Sequence, residues 1–118
     1  MAWGTIEVEP EVAEWLDGLT QDQFGRAEFS IDLLANHGVH LGEPHTRQLD
    51  PKLRELRVFL GPSRDAVRIT YFIATGRRII LLTVFRKQRR RQRAEVERAR
   101  SAMARCIAEG HTPEIHDE

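Results

Sequence analysis

Residues 54–91 read RELRVFL (54–60), GPSRD (61–65), AVRITYFIA (66–74), TGRR (75–78), IILLTVF (79–85) and RKQRRR (86–91). Three apolar segments rich in β-branched residues are joined by short Gly-containing turns, the pattern of consecutive antiparallel strands. In the first, Leu56, Val58 and Leu60 share one face and Glu55, Arg57 and Phe59 the other. In the second, Val67, Ile69, Tyr71 and Ile73 alternate with Arg68, Thr70 and Phe72. Both follow from the two-residue period of a strand. Ile79–Phe85 is apolar on both faces, as a central strand requires. An arginine thus sits inside each of the first two strands, and a basic run closes the third. Burying such a cation unpaired costs about 3 kcal/mol or more, so each needs an anion or open solvent. If the register sets Arg57 opposite Arg68, their side chains approach within about 5 Å and repel unless an anion bridges them. Glu55 can instead pair with Arg68, which makes the arrangement structural.

Upstream, Trp3–Glu9 alternates weakly and reads as a short strand. Pro10 suits the first turn of a helix, and Val12, Trp15, Leu16 and Leu19 follow at helical spacing, predicting a helix over 10–19. Thr20 with Gln23 is a capping-box pair, and Phe24, Ala27, Ile31 and Leu34 carry a second helix to about Asn36. Gly38 is the expected left-handed cap. Residues 37–51, with Gly38, Gly42, Pro44 and Pro51, read as a loop. Downstream, a helix is predicted from about Arg90 to Glu109, with Val96, Ala99, Met103, Cys106 and Ile107 as its apolar stripe. The expected fold is α+β, in the order β-α-α-β-β-β-α, with a small antiparallel-rich sheet. The helical hairpin covers one face, and the face bearing Arg57, Arg68 and Thr70 is the less covered one. Residues 1–110 are expected to form a single domain and 111–118 a flexible acidic tail.

The chain has 118 residues and formal net charge zero, which hides a split. Residues 1–50 carry ten acids and two bases, 51–110 sixteen bases and five acids, and 111–118 three acids. Nearly all the bases are arginine, whose planar fork suits phosphate. The asymmetry fits a polyanion-binding face on a less basic scaffold, or a solvated face. No apolar run approaches the roughly 18 residues of a membrane span, and the start lacks the pattern of a signal peptide. The single cysteine, Cys106, fits a reducing compartment. The expectation is a cytoplasmic globular protein with no membrane partner.

The chemistry-bearing residues concentrate at the strand ends. Phe85 beside Arg86 and Lys87 puts a ring next to two cations, which suits a stacked base and its phosphate; Phe85 is equally readable as core. Arg89, Arg90, Arg91 and Arg93 precede or open a helix, where the dipole favours an anionic partner. There is no CxxC, HExxH, GxGxxG or P-loop, and the five histidines lack metal-ligand spacing, so no metal and no cofactor are expected. His45 enters the linker to the basic strands, where a neutral imidazole is a candidate general base.

These pieces together resemble the RelE/HigB-type toxins of toxin–antitoxin modules, in the phage-derived HigB-like branch. The matching segments are LGEPHTRQL (41–49), LRELR (53–57), VRITYF (67–72), IILLTVFRK (79–87) and EVERAR (95–100), in order and spacing over about residues 1–105. The resemblance implies a RelE-like fold and a ribosome-dependent mRNA endoribonuclease that inhibits translation. It implies a cognate HigA-like helix-turn-helix antitoxin in a hetero-oligomer, with mRNA on the ribosome as substrate. The implied chemistry is metal-free: the ribose 2′-OH attacks the adjacent phosphorus. Position by position it implies catalytic roles for Arg68, Arg57 and Lys87. RNA-binding roles fall to Phe85, Arg86, Arg54, Arg89, Arg90 and Arg91. The family's KKTxKTPxxE stretch is here RKQRRRQRAE, and Val67 stands where a tyrosine often precedes the arginine. A ParE-like toxin that inhibits gyrase, or a non-catalytic module that binds nucleic acid or antitoxin, are the alternatives.

Overall fold

The computed structural model describes residues 2–61, 66–86, 92–111 and 113. In chain order the elements are β1 (Thr5–Val8), α1 (Pro10–Asp17), α2 (Gln21–His37), a 3-10 turn (Gly38–His40), β2 (Thr46–Gln48), β3 (Arg54–Phe59), β4 (Ala66–Ala74), β5 (Arg78–Arg86) and α3 (Gln92–Ala108). The expected α+β order is present, with one addition. The segment read as a loop contains the 3-10 turn and β2, whose three residues are too short for periodicity to register. The five strands form one sheet in the order β1-β5-β4-β3-β2. β1 runs parallel to β5, and the remaining pairs are antiparallel. β4 and β5 are interior strands, and all nine residues of β4 are buried.

Local chemistry sets the helix ends. Pro10 occupies the first turn of α1, where its missing N–H has no partner to lose. At α2 the capping box forms: the Gln23 N–H donates to Thr20 Oγ1 at 3.2 Å, and the Thr20 N–H donates to Gln23 Oε1 at 3.1 Å. Gly38 has φ +53 and ψ −123, so it is a positive-φ cap but not a left-handed helical one. A Cβ there would lie 2.1 Å from Trp3 Cε3, so the tryptophan ring occupies the space that only glycine leaves.

Each sheet face carries its own core. On one, Val12, Ala27 and Leu34 of the helical hairpin pack on Leu56, Val58, Ile69, Tyr71, Ile79 and Leu81. On the other, Ala99, Ala102 and Cys106 of α3 pack on Leu53, Phe72, Ile80 and Leu82. The face bearing Arg57, Arg68 and Thr70 is therefore not the open one expected: Arg68 is 7% exposed and Thr70 0%. α3 supplies the second cover, making three layers where the apolar rows alone suggest two.

Ion pairs tie the acidic half of the chain to the basic half. Arg78 grips Glu7 through Nε–Oε2 at 2.5 Å and Nη2–Oε1 at 3.0 Å. Arg100 grips Asp50 through Nε–Oδ2 at 2.5 Å and Nη2–Oδ1 at 3.1 Å. Arg98 joins Glu11 of α1 to Glu95 of its own helix and donates to the Val84 carbonyl. Among the described residues no helix is long and apolar enough to cross a membrane. Most of the expected tail, 112 and 114–118, lies outside the described residues, while Pro113 bridges to Ala74.

Candidate functional site

Strand register assembles the site. Arg57 of β3 stands directly opposite Arg68 of β4, and Arg68 directly opposite Phe85 of β5. One row further along the same face stand Glu55, Thr70 and Thr83. Three residues far apart in sequence thus form one cross-strand row, backed by a polar row, with the α3 core beyond.

A β-bulge makes this alignment possible. The partners of β4 step from Leu81, opposite Tyr71, to Thr83, opposite Thr70, leaving Leu82 unpaired. One extra residue moves every later side chain to the other face. Without it Phe85 would share the face of Leu81, toward the helical hairpin; with it, the ring lies beside Arg68. The Thr70 and Thr83 hydroxyls, 2.5 Å apart, clamp the strands at this point, and the Thr83 N–H donates to Thr70 Oγ1 at 3.1 Å.

Two cations directly opposed repel, and the fold supplies its own anion. Glu55 Oε2 lies 2.6 Å from Arg68 Nε, in a pair where Glu55 is 0% exposed. The contact is off the N–H direction, so charge rather than a formed hydrogen bond holds it. Arg68 Nη1 donates to the Ala66 carbonyl at 3.4 Å. Glu55 Oε1 and Arg57 Nε are buried and receive or give no hydrogen bond among the described residues. Among the described residues, one carboxylate beside two guanidiniums leaves a net positive charge.

His45 is brought to this site by backbone pairing. Its carbonyl accepts from the Arg57 N–H at 2.8 Å, and its side chain is exposed. His45, Pro44, Arg57 and Phe59 line a cleft of about 700 Å³ whose other wall is α2, through Phe29 and Leu33. Phe29 and Phe59 are 66% and 46% exposed, so the cleft presents apolar surface.

The other candidates separate. Arg54 lies on the opposite sheet face, donating from Nε to Tyr71 Oη at 3.3 Å and from Nη2 to Thr46 Oγ1 at 3.1 Å. Burial pushes the Tyr71 phenol above its ordinary range, with Arg54 opposing that shift. Arg86 is exposed but opposite Val67, again on the helical-hairpin face. Phe85 shares the row of Arg57 and Arg68, though its ring is only 7% exposed. Lys87, Arg89, Arg90 and Arg91 lie outside the described residues.

Sequence reasoning missed the bulge, the Thr70–Thr83 clamp and the cleft wall on α2. The bulge had a weak signal: a run apolar on both faces conceals a change of phase. Phe29, off the α2 apolar stripe, is the available sign of the cleft.

The sequence profile of the family described as Phage derived protein Gp49-like (DUF891) matches residues 14–106, a span that contains the row, the cleft and α3. No curated protein matches the chain. Among solved structures, the fold is similar to a chain in the crystal structure of the archaeal RelE–RelB complex from Pyrococcus horikoshii OT3. The match has TM-score 0.54 and 19% identity, and it covers 73% of this chain and 97% of that one.

Proposed function

Because the chain belongs to the phage-derived Gp49-like family and folds as RelE does, we propose that it is the toxin of a type II toxin–antitoxin module. Its activity in this reading is ribosome-dependent cleavage of mRNA, which inhibits translation. The observation that supports it best is the row Arg57–Arg68–Phe85, two cations and a ring set side by side by register.

Cleavage of this kind needs a proton acceptor for the 2′-OH, cations for the charge developing on phosphorus, and a proton for the departing O5′. As O2′ bonds to phosphorus, the P–O5′ bond breaks, giving a cyclic phosphate and a 5′-OH. Arg57, half-buried and without a counter-ion of its own among the described residues, binds the phosphate. Arg68 stabilises the developing charge from the centre of the row. His45, exposed and joined to the Arg57 backbone, accepts the 2′-OH proton when neutral. Phe85 positions a base, and Lys87, Arg89, Arg90 and Arg91 hold the mRNA backbone, while Arg54 and Arg86, on the other sheet face, do not share that contact. The partner is a HigA-like helix-turn-helix antitoxin, forming a cytoplasmic hetero-oligomer with this chain.

Inducing the chain in cells is expected to arrest growth and to produce mRNA ends within codons. Arrest with intact mRNA overturns the reading. One observation favours a second: Arg68 is nearly closed to solvent and paired with Glu55, as suits a toxin that inhibits gyrase without cutting RNA. DNA damage with mRNA spared is its mark.

A further inference from the structure

We propose that Glu55 is a positioning residue: it holds Arg68 in place from within the fold and sets the net charge of the row that the proposed reaction uses. The proposal rests on the ribonuclease reading for its consequence but not for its geometry.

Glu55 is a carboxylate at 0% exposure, diagonal in the register to Arg68 and two residues before Arg57 on the same strand face. Carboxylates are almost never so buried unless paired. Its Oε2 meets Arg68 Nε at 2.6 Å, while its Oε1 receives no hydrogen bond among the described residues. Being closed to solvent, it cannot touch substrate, so it is not the missing proton acceptor. It acts through its partner. Arg68 carries the guanidinium directly opposite Arg57, and without an internal anion the two would repel across one ladder step.

Glu55 therefore does two things that a neutral side chain of its shape could not. It keeps both guanidiniums at adjacent positions with the site empty. It also cancels one of their two charges, so that among the described residues of the row a bound phosphate meets one unmatched cation, that of Arg57. The cost is weaker attraction for polyanions, and the gain is a fixed geometry for the cation that must stabilise charge as it develops.

The test has two arms. The first uses the wild-type chain: the Arg68 Nε–H, followed by NMR, is expected to exchange with solvent at least tenfold more slowly than an exposed arginine such as Arg86. Because this N–H is shielded by burial beside Glu55 rather than by a formed hydrogen bond, exchange at the exposed rate shows Arg68 open to solvent and overturns the proposal. The second compares wild type with Glu55→Gln, which keeps shape and removes charge. A single-stranded oligoribonucleotide is titrated at several salt concentrations, and mRNA cleavage is followed on programmed ribosomes. The variant is expected to bind RNA more tightly, with the log K against log salt slope steeper by about 0.7, one more phosphate neutralised. Its cleavage rate is expected to fall at least tenfold, the opposite direction to binding. A lower melting temperature with unchanged affinity and slope overturns the proposal, because a merely structural carboxylate would do that. If Glu55→Gln fails to fold, the wild-type exchange measurement still decides. Failure of the ribonuclease reading shows separately, as a wild-type chain that cuts no mRNA while Arg68 Nε–H stays protected.

Discussion

At the scale of single residues, Arg57 and Arg68 share a row but differ in setting. Arg57→Ala is expected to lower mRNA cleavage by about 10²–10³-fold, the usual loss when one preorganised charge-stabilising group is removed, with little effect on stability. Arg68→Ala also strands the buried Glu55, and breaking such a pair costs about 3–5 kcal/mol, so activity and urea stability should fall together. Equal stability losses in the two variants would contradict this assignment. Gly38 and Cys106 offer tests independent of function. Gly38→Ala must place a methyl group into the Trp3 ring at positive φ, and a loss of about 2–4 kcal/mol by urea unfolding is expected. The Cys106 thiol is 0% exposed and donates to a Glu9 carboxylate oxygen. Burial, with that hydrogen bond, pushes it up to about 12. At pH 8 it should react with a disulfide reagent far more slowly folded than in urea, since the thiolate is the nucleophile.

Among the elements, α2 and β5 show where local sequence suffices and where it does not. The capping box at Thr20 and Gln23 is written in adjacent residues and forms as the pattern predicts. Thr20→Ala should cost about 1 kcal/mol in urea unfolding, because one N-terminal N–H loses its acceptor. The phase of β5 is written nowhere locally. Ile79–Phe85 is apolar throughout, so no residue marks which of its side chains meets which face, and the bulge at Leu82 appears only in the pairing with β4. β2 was illegible for a related reason: three residues beside Pro44 and Gly42 look like loop until β3 lies next to them. That Arg57 and Arg68 share a sheet face was legible from alternation; that they stand opposite each other depends on a register the sequence left open. That Glu55 neutralises Arg68 was readable only as one of two options, because the choice depends on which helix covers that face.

For the whole molecule, the charge split has a second meaning besides polyanion binding. Glu7, Glu11 and Asp50 from the acidic half pair with Arg78, Arg98 and Arg100 from the basic half. Part of the arginine excess is thus used inside the fold, which composition alone could not show. The hydrogen bond with Arg78 holds the Glu7 carboxyl below its usual 4.5, and that with Arg100 holds Asp50 below 3.8. A carboxyl depressed in the folded state contributes its stability above the unfolded value and loses it as pH falls through the folded one. Thermal stability should therefore decline below about pH 4.5, and Glu7→Gln or Asp50→Asn should flatten that limb by the same small amount by which they lower neutral-pH stability, small because both pairs are partly exposed. An acid limb of unchanged slope in both variants would show the pairs to be inert.

The pairing of β1 with β5 also governs when this chain can become whole. Glu7 and Arg78 are separated by 71 positions and Glu9 and Cys106 by 97, so the first strand has no sheet partner until β5 exists. On a ribosome adding residues one at a time, the helical hairpin can form early from local contacts, while β1 must wait for the last third of the chain. β5, which ends in the site row, also receives β1 along its outer edge. A nascent chain therefore carries its acidic half unmatched until β5 and α3 have been made, and the row closes only once β5 pairs with β4.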